Sequence, residues 1–279
     1  MPGNAVALEI ETKDFGDWAG VARLGNLRRI VLHPIKPPHL IPLADLGART
    51  RLDALWLGEI RVEALTALAE FPHLRHLSLH WAPKLANIDV LARLTKLETL
   101  ALWDLPKLPN LDALGELPNL RELTIETAPG RDSHGPQRFP SFSPLACLKN
   151  LERLKLVGIA AKDESLEPLH GLTKLRHVHL ANAFPMEQFA RLAAALPAAR
   201  GNFAEPVVTL PGFVECTRCR ARKVMLLGLR TRLKCPTCDS RQIAAHVAVF
   251  ERIRTNCMCL ASHSSTKIQL TFNLRPVRS

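Results

Sequence analysis

The feature that most constrains this chain is a leucine pattern written at a fixed interval. Leu94, Leu97, Leu100 and Leu102 stand in the order L-x-x-L-x-x-L-x-L, and Leu117, Leu120, Leu123 and Ile125 repeat it 23 residues later. The last two apolar positions recur as Leu8/Ile10, Ile30/Leu32, Leu55/Leu57, Leu77/Leu79, Leu100/Leu102, Leu123/Ile125, Leu154/Leu156 and Val178/Leu180. Successive pairs are separated by 22, 25, 22, 23, 23, 31 and 24 residues, so only the step after Ile125 leaves the period. A unit this short cannot bury its own apolar edge, and the repeat therefore predicts a solenoid whose turns become stable by stacking.

Phrases such as NIDVLARLTKLETLAL (87 to 102) and SLEPLHGLTKLRHVHL (165 to 180) resemble the leucine-rich repeat family, most of all its short internalin-like class. The resemblance runs over roughly three quarters of the chain. It implies an α/β fold: a curved solenoid with a parallel sheet on its concave side, 3₁₀ or short helical turns on its convex side, and a general use in binding other proteins. One departure stands out. The family carries Asn three residues after the last strand leucine, where this chain has Ile35, Ile60, Ala82, Leu105, Ala128, Ile159 and Ala183. The backbone groups of the convex turns must find partners some other way.

In each short strand the leucines point inward and the residues between them face the concave surface. Those positions are Arg29, Val31 and His33; Ala54, Trp56 and Gly58; His76, Ser78 and His80; Thr99, Ala101 and Trp103; Glu122, Thr124 and Glu126; Arg153, Lys155 and Val157; His177, His179 and Ala181. The candidate partner-binding face follows as an aromatic and histidine zone (Arg29, His33, Trp56, His76, His80, Trp103), an acidic row (Glu122, Glu126) and a basic row (Arg153, Lys155). Trp56 and Trp103 are expected in one strand column two repeats apart. Exposed tryptophan among charges is the composition of an interface hot spot, although tryptophans filling the groove against each other would serve packing alone. His33 and His80, two repeats apart at ~4.8 Å per strand, stand too far from each other to share an ion.

Residues 5 to 24 read as an N-terminal cap, with a strand at Val6 to Ile10 and Phe15, Trp18, Ala22 and Leu24 at helical spacing. The long step holds TAPGRDSHGPQRFPSFSP (127 to 144), which reads as a loop with Arg131, Asp132, His134, Arg138 and Phe139 as candidate contacts or as a tolerated insertion. Cys147 is expected as a small buried residue. The repeat decays after Leu180, where Phe189, Leu192 and Leu196 suit an amphipathic helix.

The net charge of +11 is lopsided. From Pro211 on, 13 Lys or Arg face three acids, leaving 24 basic against 23 acidic residues before it. In this basic piece Cys216-x-x-Cys219 and Cys235-x-x-Cys238 are separated by fifteen residues. Two residues between cysteines let one tight knuckle turn both sulfurs toward an ion, and two knuckles complete the tetrahedron Zn²⁺ prefers. VECTRC and LKCPTC resemble the knuckles of a zinc ribbon and RKVMLLGLRTRL its hairpin. Four thiolates leave no open position for water, so the expected Zn²⁺ is structural. DSRQIAAHVAVFERIR suits a helix presenting Ile243, Val247, Phe250 and Ile253, although it also alternates like a strand. Cys257 and Cys259 are expected as free thiols in a disordered tail.

The expected organisation is a solenoid with its N-terminal cap over 1–205, a ribbon with terminal helix over 206–254 that caps the stack, and a tail over 255–279. In the capping arrangement Met225, Leu226, Leu227, Val247 and Phe250 dock near Val178 and Leu180. MPGNAVALEI lacks a basic region followed by an apolar run, and seven cysteines with four in C-x-x-C pairs suit a reducing compartment, so a cytoplasmic monomer is expected. No phosphate-cradling glycine loop, H-E-x-x-H or nucleophile with a base is present in the sequence, which makes an enzyme the least favoured class. A protein-binding module comes first. A nucleic-acid-associated protein anchored by the basic ribbon, and a scaffold recruiting an enzyme, are the alternatives.

Overall fold

A computed structural model describes residues 7–13, 16–127, 135–209, 214–229, 231 and 233–265, with backbone alone for 259–265. The paired leucines of each repeat form one strand: β1 (Ala7–Glu11), β2 (Arg29–His33), β3 (Ala54–Gly58), β4 (His76–His80), β5 (Thr99–Trp103), β6 (Glu122–Glu126), β8 (Arg153–Val157) and β10 (His177–Leu180). They make a single eight-stranded sheet in that order, every pair parallel. Register puts Leu55, Leu77, Leu100, Leu123 and Leu154 in one file, and each is 2 % exposed or less. Burying one such side chain stabilises by roughly 1.5–3 kcal/mol, and the gain recurs at every turn. The chain returns across the convex side through 3₁₀ turns at Thr66–Glu70, Asp89–Arg93, Asp112–Glu116, Ser143–Cys147 and Glu167–Leu169.

The missing asparagines are replaced by main chain. Glu59, Trp81 and Asp104, each two residues past the last strand leucine, take left-handed φ values of 48, 52 and 59°. This turn redirects the backbone toward the next repeat. Ile60 N–H donates to Trp81 O (2.9 Å), Trp81 N–H to Trp103 O (2.8 Å), Ala82 N–H to Asp104 O (3.1 Å) and Asp104 N–H to Glu126 O (2.7 Å). A side-chain amide at this place would be redundant, and Ile35, Ile60, Ala82 and Ile159 instead fill the core at 0 % exposure. Ala128 lies outside the described residues.

The N-terminal turn packs through α1 (Trp18–Ala22), with Trp18 against the core, while Val6 and Phe15 lie outside the described residues. A convex helix not expected from the sequence, α2 (Leu40–Arg49), buries Leu43 and Leu46. The long step does more than loop out. Its end forms β7 (Gln137–Phe139), which pairs in parallel with β9 (Ile159–Ala161), and the Gln137 amide donates to Leu105 O at 3.1 Å. Phe139 is therefore buried rather than available for contact, whereas Arg138 is exposed. Arg131, Asp132 and His134 fall outside the described residues. Cys147 is exposed, not buried.

After β10 the chain forms α3 (Met186–Ala195), which buries Phe189 and Leu192, with Leu196 beyond it. The open edge of β10 is closed from within the solenoid. Val178 N–H donates to Arg200 O (2.9 Å), and the Asn202 amide both accepts from Leu180 N–H (3.0 Å) and donates to Leu180 O (2.7 Å). Gly201, at φ 149°, lies so near the strand that a Cβ would fall 1.7 Å from Val178 O.

The C-terminal piece then packs on α3, not on the strand edge near Val178 and Leu180. β11 (Val207–Thr209) pairs antiparallel with β12 (Val224–Leu226), and the segment expected as a hairpin is closed by an antiparallel bridge in which Val224 N–H donates to Lys234 O (2.8 Å) and Lys234 N–H to Val224 O (2.9 Å). α4 (Ser240–Ser265) is helical throughout, eleven residues beyond the boundary expected at 254, so a disordered tail from 255 is not observed. Residues 266–279 lie outside the described ones. Leu227 and Phe250, both at 0 % exposure, join the same core as the repeats. Asn182 ties the seam by donating to Leu226 O (3.0 Å) and accepting from Gly228 N–H (2.6 Å). No described helix is long and apolar enough to cross a membrane.

Candidate functional site

The concave face presents three columns of side chains. Arg29 and His76 stand in the first with Glu122 and Arg153; Trp56 and Lys155 stand in the second; His33, His80, Trp103 and Glu126 stand in the third. Trp56 is thus opposite Ser78, one column away from Trp103, which corrects the expectation of a shared column. The rings meet all the same. Position 58 is glycine, and the Trp56 indole lies across it, 2.4 Å from where a Cβ would be. Trp56 then packs on His80 (ring centroids 4.7 Å, planes 36° apart), and His80 stacks on Trp103 (5.2 Å, 12°). His33 meets Trp56 edge-on at 6.1 Å.

The other end of the row is charged. Lys155 Nζ lies 5.4 Å from the centre of the Trp103 ring and 2.7 Å from Glu126 Oε2. Arg153 reaches Glu122 at 3.6 Å. Acidic and basic rows occupy adjacent strands and largely neutralise each other, so they are not two separate fields. Burial lowers the His80 pKa, and its Nε2 lies 2.8 Å from Ser78 Oγ, so the stack is uncharged at neutral pH. His179 is lowered by burial and by Lys155.

Three features escaped the sequence reading. Small residues at Ala54, Ser78 and Ala101 leave an apolar depression of 260 Å³ beside Trp56. A depression of 540 Å³ with a mixed lining lies farther along, bordered by Glu122, Arg153, Lys155, His177, His179 and Arg200. At the rim where strands begin, Arg28, Asp53, Arg75, Glu98, Arg121, Glu152 and Arg176 form one file, joined by backbone hydrogen bonds from each repeat to the next. Their signs alternate as far as Arg176, after which Arg200 bonds to it in the same way as a second cation. Arg28–Asp53 (3.9 Å), Arg75–Glu98 (3.0 Å) and Arg121–Glu152 (2.7 Å) are ion pairs, and the Arg121 pKa is raised first by its hydrogen bond to Glu152. The alternation was visible in the sequence one residue before each strand.

The second candidate centre is the cysteine cluster. The sulfurs of Cys216, Cys219, Cys235 and Cys238 all lie within 4.8 Å of one another. Close pairs stand at 3.3, 3.5 and 3.9 Å, bracketing the ~3.8 Å edge of a tetrahedron built with metal–sulfur bonds near 2.3 Å. The knuckles are shaped by main chain: Arg220 takes φ 63°, and its N–H donates to Cys216 O at 2.9 Å. Asp239 Oδ2 accepts from Cys235 N–H at 2.8 Å, and Asp239 Oδ1 faces Arg218 at 3.3 Å. Backbone N–H groups of Arg218 and Cys219 lower the Cys216 thiol to about 6, while hydrogen bonding with Cys219 pushes Cys238 up to about 12. Sulfurs this close compete for negative charge, and a dication would remove that competition. The cluster could hold a metal ion and fits a small zinc ribbon.

Eight parallel strands, 3₁₀ returns and an unbroken leucine core define a leucine-rich repeat solenoid with a C-terminal cysteine cluster. No protein-family model and no curated protein matches the chain. Similar solved structures include internalin C2 from Listeria monocytogenes (23 % identity, TM-score 0.43, covering 58 % of this chain and 64 % of that one). Internalin inlF from the same organism is 17 % identical with a TM-score of 0.48, covering 71 % and 67 %. TLR13, in a complex with ssRNA13, is 19 % identical with a TM-score of 0.50, covering 71 % of this chain and 28 % of that one. The chain thus spans under two thirds of the internalin C2 and TLR13 chains, and the likeness is one of fold.

Proposed function

We propose that this chain is a non-enzymatic protein-binding module, gripping a protein partner on its concave face while Cys216, Cys219, Cys235 and Cys238 hold a structural Zn²⁺. The observation that carries this reading is the row Trp56–His80–Trp103, stacked across three strands and still half-buried. Mutual packing fixes the rings without covering their outer edges, and rigid, partly exposed aromatics contribute most when a partner completes their burial. Solenoids use such broad concave surfaces for binding. An affinity pull-down comparing wild type with a Trp56→Ala/Trp103→Ala variant tests this: the captured set should shrink, and an identical set would count against the groove.

Zinc would make a small, core-poor piece rigid, and the ribbon would then serve as a lid over α3. Its basic residues give less support to a nucleic-acid reading than their number suggests. Arg218 is engaged with Asp239, and Arg220 with Glu215 at 3.7 Å. Thiol chemistry of this kind suits a reducing compartment, and we place the protein in the cytoplasm.

A further inference from the structure

The two depressions on the concave face differ in chemistry, and their order along the sheet is informative. The first, centred on β4, is apolar: its floor is Ala54, Ser78 and Ala101, its wall is Trp56. The second, centred on β8, has a charged rim of Glu122, Arg153, Lys155 and Arg200 with His177 and His179 between. Among the described residues Arg153 pairs with Glu122 at 3.6 Å and Lys155 with Glu126 at 2.7 Å, whereas Arg200 has no acidic partner. The groove therefore runs from an unfilled apolar seat to a rim whose one cation in excess is Arg200. Three strand spacings separate the centres, about 14 Å, which an extended chain covers in about four residues.

We propose that the occupant is an extended segment of a partner protein carrying one large apolar side chain and, about four residues on, acidic side chains. This rests on the concave-face reading and narrows it. The segment crosses the strands, seats its apolar residue beside Trp56, and sets its carboxylates against Arg200 and the neighbouring Arg153. A basic segment would meet these cations unfavourably, and a wholly apolar one would desolvate them without compensation.

The test is selection of a random dodecapeptide phage library on the full-length protein, followed by fluorescence titration of the enriched peptide. The expected consensus has a Leu, Phe or Trp four to five residues from a pair of Asp or Glu. Its binding should weaken at least tenfold in Ala101→Arg, which fills the seat, and in Arg200→Glu at an exposed position, with the melting of each variant measured alongside to show that it is folded. Replacing the acids by Lys should abolish binding. Peptides that depend on Ala101 and Trp56 but carry no acids would overturn this proposal and leave the concave-face reading standing. Enriched peptides indifferent to every groove variant would overturn both. A poly-U dodecamer that binds and is displaced by Ala101→Arg would assign the groove to nucleic acid and overturn both as well.

Discussion

The His80 ring lies parallel to the Trp103 indole, 5.2 Å away with planes 12° apart, in neighbouring strands whose register sets them side by side. Burial between two indoles disfavours the imidazolium, so the folded pKa lies below the ordinary histidine value of 6.5. His170 and His246 shift the same way, each mainly by burial. The unfolded chain then binds protons first: stability is full above about pH 6.5 and declines as pH falls toward the folded values. Tm should drop on acidification from pH 7.5 to 5.5, and less steeply in His80→Phe. An unaltered slope in that variant would remove His80 from the account.

Chelation should act on the solenoid through the ribbon. Because Asn182, Leu227 and Phe250 join the two pieces, loss of metal or Cys216→Ser should lower Tm by about 4 °C or more. Hydrogen exchange over 182–196 should quicken ahead of β3 to β5. Exchange there as slow as before would make the ribbon a separate tethered module.

The alternating file can be broken at one point. Glu98→Lys would set a third cation between Arg75 and Arg121 and lower Tm by about 2 °C at low salt, with recovery in 1 M salt as the exposed charges are screened. A loss equal at both salt concentrations would point to packing instead.

Gly201→Ala tests the closure of the sheet. A Cβ there collides with Val178 O, and φ 149° is strained for any other residue, so a cost of roughly 2–3 kcal/mol is expected. A Tm unchanged from wild type would mean that Asn202 closes the edge without this close approach.

The leucine files were legible because burial at a fixed period leaves little freedom: the inward positions read from the sequence are buried from Ile10 to Leu180, and Leu8 on the first strand is partly buried. So were the knuckles, whose two-residue spacing dictates their turn. The groove was legible in position and not in detail. That Trp56 reaches His80 from another column follows from the absent Cβ of Gly58, a contact the period does not encode. Glu126 and Lys155 read as separate rows because the period sets their strands side by side without showing that the two side chains reach each other. The segment read as a hairpin is closed by the Val224–Lys234 bridge, whereas the pairing of β12 with β11, outside the cysteines, is one that the knuckle pattern leaves open.

The central claim is tested most directly by titration calorimetry of the captured partner against wild type, Trp56→Ala and Trp103→Ala. The account predicts a loss of about 2 kcal/mol or more in each variant, roughly thirtyfold in Kd, with melting preserved. Unchanged affinity in both, with melting preserved, would contradict it.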